Sequence, residues 1–286
     1  MGRGRKTGGS ALRVLAALPI QVVLIIYAVI VIYPMIWLLS ASLKTSYELF
    51  TSPWLPTPSP QWQNFVNAWQ IAGIGRYFLN SVFVTSLSMF FILLIGSMAA
   101  YALARFVFSG RDAIHTAFIS GMMFPVFLGI VPLFLLLGRL GMLDNYFGLI
   151  TVYVAYSLSF TVFIMTGFFK TLPGELAEAG LIDGCSQFAV FWRIMLPLAK
   201  PGLITAGIFN FFGIWNEYPL ALIIITESNL RTLPLGIANL LMVEHYKTNW
   251  GALFAGLVIV MIPTLLVYLF FQRQITEGLT AGALKG

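Results

Sequence analysis

The side chains of this 286-residue chain that could do chemistry gather in two places. Between Pro173 and Pro201 stand Glu175, Glu178, Asp183, Arg193 and Lys200, while the apolar runs on either side carry almost no charge. The second place is Trp215-Asn216-Glu217-Tyr218, where a carboxylate ends an apolar run that also holds Asn210. Neither set has the makings of a hydrolytic centre, because no His–carboxylate or Ser–His cluster accompanies it. His115 and His245 stand singly near the ends of apolar runs, so no metal site is expected. One cysteine, Cys185, excludes internal disulfides and any cysteine-based metal site. No G-x-x-x-x-G-K-[ST] loop is present, so the chain itself should not bind ATP. The chemistry within reach is electrostatic. At 173–201 it is a set of charges of both signs that must meet water or a partner; at 217 it is an ionisable group that costs a few kcal/mol in lipid unless paired or wet. Glu217 therefore either shapes a solute path or sits hydrated at the outer interface.

The elements that must position these groups are membrane spans. The chain is 59% hydrophobic and only 9% charged, against about 25% charged for a soluble domain, and its mean hydropathy is +0.91. It would have no surface in water. Six runs approach the roughly 20 residues that a bilayer crossing needs: Leu15–Leu39, Phe78–Ala104, Ala113–Leu137, Tyr146–Phe169, Gly202–Ile225 and Gly251–Phe271. The net charge of +6 does not point to nucleic acid, because the basic residues flank the apolar runs. With the N-terminus inside, Arg3, Arg5, Lys6, Arg13, Arg105, Arg111, Lys170, Arg193, Lys200, Arg273 and Lys285 face the cytoplasm. Only Lys44, Arg76, Arg139, Arg231 and Lys247 face outward. The bias places both termini and the 173–201 loop in the cytoplasm. The basic start followed by an apolar run to Leu39 is too long for a cleavable signal, and is read as a retained span.

The polar insert cannot sit in lipid, so it faces water or a partner protein. It reads as two short helices. Pro173 suits a first helical turn, Asp183-Gly184 breaks the first helix, and Gly184 can take the positive φ that ends it. Phe188, Phe191, Trp192 and Met195 then repeat at i, i+3, i+4 and i+7, an amphipathic signature. Elsewhere, Ser42–Arg76 is rich in Pro and Trp, so part of it should lie at the membrane surface, with Trp62–Ile71 as a short interfacial helix. Pro125, Gly129 and Pro132 should kink or break the third run, either to line a path or as a plain structural bend.

These residues carry a resemblance. Glu178-Ala179-Gly180, then Gly184, then Ile194-Met195-Leu196-Pro197 resembles the EAA loop of bacterial ABC importer permeases: E-A-A, three residues, G, nine residues, I-x-L-P. Gly180 stands where the second Ala is usual and Cys185 where Ala usually follows the Gly; both are small. The ending Gly278-Leu279-Thr280-Ala281-Gly282-Ala283-Leu284-Lys285-Gly286 resembles the G-L-T-x-G-A-x-K-G ending of the carbohydrate-uptake branch, with Leu284 for the usual Val. Phe168-Phe169-Lys170, Thr232-Leu233-Pro234-Leu235-Gly236 and Phe271-Gln272-Arg273 are similar to that branch as well.

The resemblance implies an all-α, six-span membrane protein of the type I ABC importer permease fold. Its parts would be a cytoplasmic tail at 1–14, a first helix at 15–39, an outer loop at 40–77, a five-helix core at 78–272 containing the coupling loop at 173–201, and a cytoplasmic tail at 273–286. It implies a non-enzymatic subunit, without a cofactor of its own, for uptake of sugars or oligosaccharides across a bacterial cytoplasmic membrane. Its partners would be a homologous second permease, two ATPase subunits that hold ATP and Mg, an extracytoplasmic sugar-binding protein and the lipid bilayer, with no nucleic acid. Coupling would fall to Glu178, Ala179, Gly180, Asp183, Gly184, Ile194, Leu196 and Pro197. Phe188, Phe191 and Trp192 would hold the second loop helix against the permease. The W-N-D/E motif of the family, here Trp215, Asn216 and Glu217, would border the substrate path, and Thr280, Gly282 and Lys285 would reach the ATPases. An importer of the same kind for a polyamine or glycerol phosphate is the near alternative. A proton- or sodium-coupled transporter is the farther one, disfavoured because Glu217 stands nearly alone and no internal repeat is visible.

Overall fold

The computed structural model describes residues 8–243 and 249–283, with side chains described for 19–238 and 249–275. Within these residues the chain is helical, without strands. In order come α1 (Gly8–Ser42), α2 (Ser46–Thr51) and α3 (Gln63–Val66), the last running into a π-helical turn at Asn67–Ile71. Then follow α4 (Ile74–Arg105), α5 (Arg111–Met123), α6 (Val126–Arg139) and α7 (Tyr146–Thr171). The loop region contains α8 (Glu175–Ile182), then α9 (Gln187–Val190), a π turn at Phe191–Met195 and α10 (Leu196–Leu198). The chain continues with α11 (Lys200–Trp215), α12 (Pro219–Ile224), a 3-10 turn at Ser228–Leu230, α13 (Leu233–Val243) and α14 (Trp250–Ala283).

Four of these helices, α1, α4, α7 and α14, are long and apolar enough to cross a membrane alone. The number rises to six when two bent pairs each count as a span. In one, α5 and α6 meet at 104°; in the other, the loop helix 187–198 enters α11 at 74°. The third expected run is thus broken, not merely kinked. Phe124 and Pro125 are both extended, because a residue before proline is pushed out of the helical region. The fifth expected run also departs from a straight span: α11 stops at Trp215, and only the six residues of α12 resume the helix.

The spine of the bundle is the pair α4 and α7. Small polar side chains on both helices are buried, among them Thr85, Ser88 and Ser97 on α4 and Ser157, Thr161 and Thr166 on α7, and a methyl on Gly96 of α4 would stand 2.6 Å from Thr161. Small side chains let helices approach closely where lipid supplies no hydrophobic drive to associate. Around this spine one apolar cluster joins Val84, Ile92, Leu149, Tyr153, Ile214 and Ile224. A second, at the other end, joins Tyr101, Met165, Phe169, Val190, Phe191 and Met195. A third sits where α14 meets Ile74, Trp215, Leu233 and Ile237.

The segment between α1 and α4 is a folded cap. Lys44 is 1% exposed; its ammonium donates to the carbonyls of Ser52 at 2.9 Å and Pro53 at 2.8 Å. The buried Asn64 amide donates to the Ser42 and Lys44 carbonyls. Thr45 and Glu48 form a capping box at the start of α2. The expected helix at Trp62–Ile71 is α3 with its π turn, and Trp54 and Trp62 remain largely exposed.

A second clasp joins the α6–α7 loop to the segment after α12. Asp144 accepts from the Thr226 amide, the Thr226 hydroxyl and the Glu227 amide, at 2.6, 2.6 and 2.9 Å. These donors, the Thr226 hydroxyl foremost, hold its carboxyl below the usual carboxylate range. A depressed carboxyl stabilises the fold above its unfolded pKa, and that contribution is lost as pH falls through the folded value. Protection of the Thr226 and Glu227 amides from hydrogen exchange should therefore hold at neutral pH. It should decline only below about pH 4, the ordinary aspartate value. Asp144→Asn should lower protection at neutral pH and remove the pH dependence.

Candidate functional site

The polar insert forms a compact elbow. Helix α8 ends in a Schellman turn: the Cys185 amide donates to the Gly180 carbonyl at 2.9 Å and the Gly184 amide to the Leu181 carbonyl at 3.1 Å. Gly184 has φ +81, as the Asp183-Gly184 breaker requires, and the space around its α-carbon is open. Its constraint is backbone conformation alone. Ser186 then caps α9 by accepting from the Ala189 amide. Gly180 answers to packing instead: a methyl added there would stand 2.5 Å from Ile194 Cδ1. Ile194 of the second loop helix fills the space that the missing methyl leaves.

The second helix is anchored by fewer aromatics than its spacing implies. Phe191 is buried against Tyr101 of α4 and Phe169 of α7, with ring centroids 5.1 and 6.3 Å apart. Met195 and Val190 are fully buried beside it. Phe188 is 63% exposed and Trp192 37% exposed, in edge contact with each other at 5.9 Å. The buried side chains Val190, Phe191, Met195 and Ala199 recur at helical spacing as well, so the stripe that packs is the one beside Phe188 and Trp192. Leu196 packs partly against the same cluster, while Pro197 is exposed at the first turn of α10.

One face of the elbow lacks a cover. Leu176, Leu181, Ile182 and Phe188 are exposed apolar side chains on it. Glu178, Ala179 and Asp183 are also exposed, and among the described residues Glu178 has no ion-pair partner.

At the root of the elbow lies a residue that charge counting had set aside. Arg105, the last residue of α4, donates through Nη2 to the Phe169 carbonyl at 2.7 Å and the Leu172 carbonyl at 2.6 Å. The Phe169 carbonyl also accepts from the Leu172 amide at 3.4 Å in the turn that closes α7, and the Leu172 carbonyl lies just beyond the helix.

The second group of polar residues divides. Glu217 alone of its motif lines a cavity of about 490 Å³ bounded by Met122, Phe127, Tyr153, Tyr156, Phe160, Phe209, Asn210 and Leu220. Its carboxylate accepts from the Leu220 and Ala221 amides at 2.6 and 3.0 Å and from the Tyr153 hydroxyl at 2.7 Å. It thereby caps the start of α12 and ties it to α7. Trp215 instead turns to α14, stacked on Phe211 and donating to the Val260 carbonyl at 3.3 Å. Asn216 is exposed and closes α11 by donating to the Phe212 carbonyl. Deeper in the cavity wall, Asn210 donates to Thr161 at 2.8 Å. Tyr153 and Arg105 were not singled out by sequence, and no local pattern marks either.

Among the described residues no three His, Cys, Asp or Glu side chains gather as metal ligands. Helix α14 runs to Ala283, so Thr280 and Gly282 lie on its last turns; their side chains, with His245 and Lys285, lie outside the described residues.

Comparison with known proteins agrees with this architecture. Residues 92–280 match the model of the family described as the binding-protein-dependent transport system inner membrane component. The chain belongs to that family. It is 41% identical over 280 residues to the diacetylchitobiose uptake system permease of Streptomyces coelicolor, covering 98% of this chain and 92% of that one. It is 36% identical over 255 residues to the sulfoquinovosyl glycerol transport system permease of Agrobacterium fabrum, covering 88% of each. In fold it matches a chain of a bacterial ABC transporter involved in alginate import, with TM-score 0.83 over 94% of this permease and 99% of that chain, at 22% identity.

The elbow makes two substitutions diagnostic. Gly184→Val should cost roughly 1–3 kcal/mol, the price of a side chain held at positive φ. Gly180→Ala should cost under about 1 kcal/mol, since the end of Ile194 can move by a rotamer adjustment. Thermal unfolding of the detergent-solubilised protein should rank them in that order.

Proposed function

We propose that this permease is one of two membrane subunits of an ABC importer for sugars or oligosaccharides, driven by ATPase subunits that dock on the elbow at 173–201. The observation that carries the reading is the uncovered elbow face. Ile182 and Phe188 stand exposed on it among Glu178, Asp183 and the backbone turn at Gly184. A surface both apolar and charged suits a protein partner. Glu178 would meet a basic side chain of the ATPase, with Ala179, Gly180, Asp183 and Gly184 setting the shape of the docked helix. Ile194, Leu196 and Pro197 would fix the elbow to the permease. The sugar assignment is supported by the ending of the chain and by likeness to the diacetylchitobiose uptake permease over nearly its whole length. Thr280, Gly282 and Lys285 would extend the ATPase contact.

In this scheme ATP and Mg are held by the partners, and hydrolysis is theirs. Closure of the ATPases would move the elbow as a rigid body and swing the permease pair between inward- and outward-facing states. An extracytoplasmic binding protein would deliver the sugar on the side of Lys44 and Arg76. The termini and the elbow would face the cytoplasm of a bacterial cell. The cavity beside Glu217 would form part of the solute path; Tyr156, Phe160 and Phe209 offer aromatic faces there. Trp215 and Asn216 would serve the path by holding the α11–α12 break in place.

The test is uptake by the complete importer in membranes, with its own binding protein supplied. Glu178→Ala should insert and assemble normally yet lose ATP-coupled uptake, since truncating a charge at a dry contact weakens an interface strongly. Glu217→Gln should keep assembly and reduce uptake. Wild-type uptake by Glu178→Ala would reject the docking role. Orientation is checked separately: a membrane-impermeant maleimide should miss Cys185 in intact cells, and labelling from outside would invert the topology.

A further inference from the structure

We propose that Arg105 is a positioning residue for energy coupling: its guanidinium locks the ends of α4 and α7 together, so that movement of the elbow reaches both helices as one. The inference rests on the docking role proposed for the elbow. Three observations converge on the last turn of α4. Arg105 donates to two carbonyls of a helix distant in sequence, at 2.7 and 2.6 Å. Both contacts are charge-assisted, and the cation sits at the negative end of the α7 dipole. One turn earlier, Tyr101 packs on Phe169 of α7 and on Phe191 of the second loop helix, at 5.4 and 5.1 Å. The elbow begins directly beyond Leu172, and a methyl on Gly174 would lie 3.9 Å from Arg105 Nη1.

The geometry is stiff. Hydrogen bonds weaken steeply with misalignment, so a shift of α8 either carries the Leu172 carbonyl and α4 along or breaks the bond. Both bonds leave one nitrogen, so a lysine ammonium could make them in kind, but its shorter reach and stronger hydration would weaken them. Phe191 supplies a parallel apolar link from the other arm of the elbow. Both arms therefore report to the same turn of α4.

The experiment uses the complete importer in proteoliposomes with its binding protein. Solute uptake per ATP hydrolysed is compared for wild type, Arg105→Gln and Arg105→Lys. Alongside, spin labels at Val107→Cys and Thr171→Cys, in a Cys185→Ala background, report the distance between the two helix ends with and without trapped ATP. Wild type should give one narrow distance in both states. Arg105→Gln should broaden it and lower uptake per ATP by about tenfold, the order expected for a lost hydrogen bond to a charged group. Arg105→Lys should fall between. A wild-type distance that changes with ATP overturns the lock, and this holds even if Arg105→Gln fails to assemble. So does wild-type uptake per ATP in Arg105→Gln. If Glu178→Ala uncouples while Arg105→Gln does not, only the lock fails; if neither uncouples, the docking reading fails first.

Discussion

A helix that ends among apolar side chains must find partners for its last peptide groups, and this constraint shapes the permease more than any single apolar contact. In hydrocarbon an unsatisfied N–H or C=O costs several kcal/mol, so a break is tolerated only where something repairs it. The chain breaks its helices at several points, and at three of them a polar side chain makes the repair. Arg105 satisfies the end of α7. Glu217 takes the first amides of α12. Ser81 accepts the Leu233 amide at the start of α13, and Asn80 donates to the Asn229 and Arg231 carbonyls just before it. Arg105, Ser81 and Asn80 all sit on α4, and Tyr153 of α7 holds Glu217 in turn. The spine thus organises its neighbours through hydrogen bonds as much as through packing.

That view gives Glu217 a definite physical status. It is neither a free carboxylate awaiting a cation nor a merely hydrated surface group. Its two oxygens already receive three donors, two from the backbone and one from Tyr153. Its charge is spent on holding the α11–α12 break open beside the cavity. A solute entering there would meet aromatic faces and an acceptor edge of fixed geometry. Neutralising the residue therefore disturbs the cavity's shape as well as its charge, because a glutamine oxygen accepts less strongly and its amide repels the same backbone donors.

What could be read from the sequence follows from how local each cause is. The long runs at α1, α4, α7 and α14 were legible because span length and lack of charge are properties of the run itself. The elbow turn was legible because Asp183-Gly184 and the Schellman bonds involve only near neighbours. The break at Pro125 was legible as a kink or break, but its 104° is set by what α5 and α6 pack against. Helical spacing chose the wrong face for Phe188 and Trp192, since Val190, Phe191, Met195 and Ala199 recur as regularly and what the fold packs against the helix decides between the two stripes. Arg105 and Lys44 were visible only as charges on one side or the other. Their roles depend on carbonyls brought to them by the fold: Arg105 reaches across 64 and 67 residues. No window of sequence contains that information.

The exposed apolar surface of the isolated chain is of two kinds, and the difference bears on what must cover it. On α1, Ile20, Leu24, Ile25 and Ile32 are all more than half exposed, and none of the apolar window from Pro19 is buried. Apolar exposure on every face of a span-length helix is what lipid, or another span, satisfies. On the elbow, Ile182 and Phe188 are as exposed, at 86% and 63%, but they lie beyond the end of α7 among carboxylates. Lipid tails cannot reach there without burying Glu178 and Asp183 unpaired, which costs far more than the apolar contact returns. Water leaves Ile182 uncovered. Under the docking proposed above, a protein surface presenting apolar groups with basic residues at its rim would meet both demands.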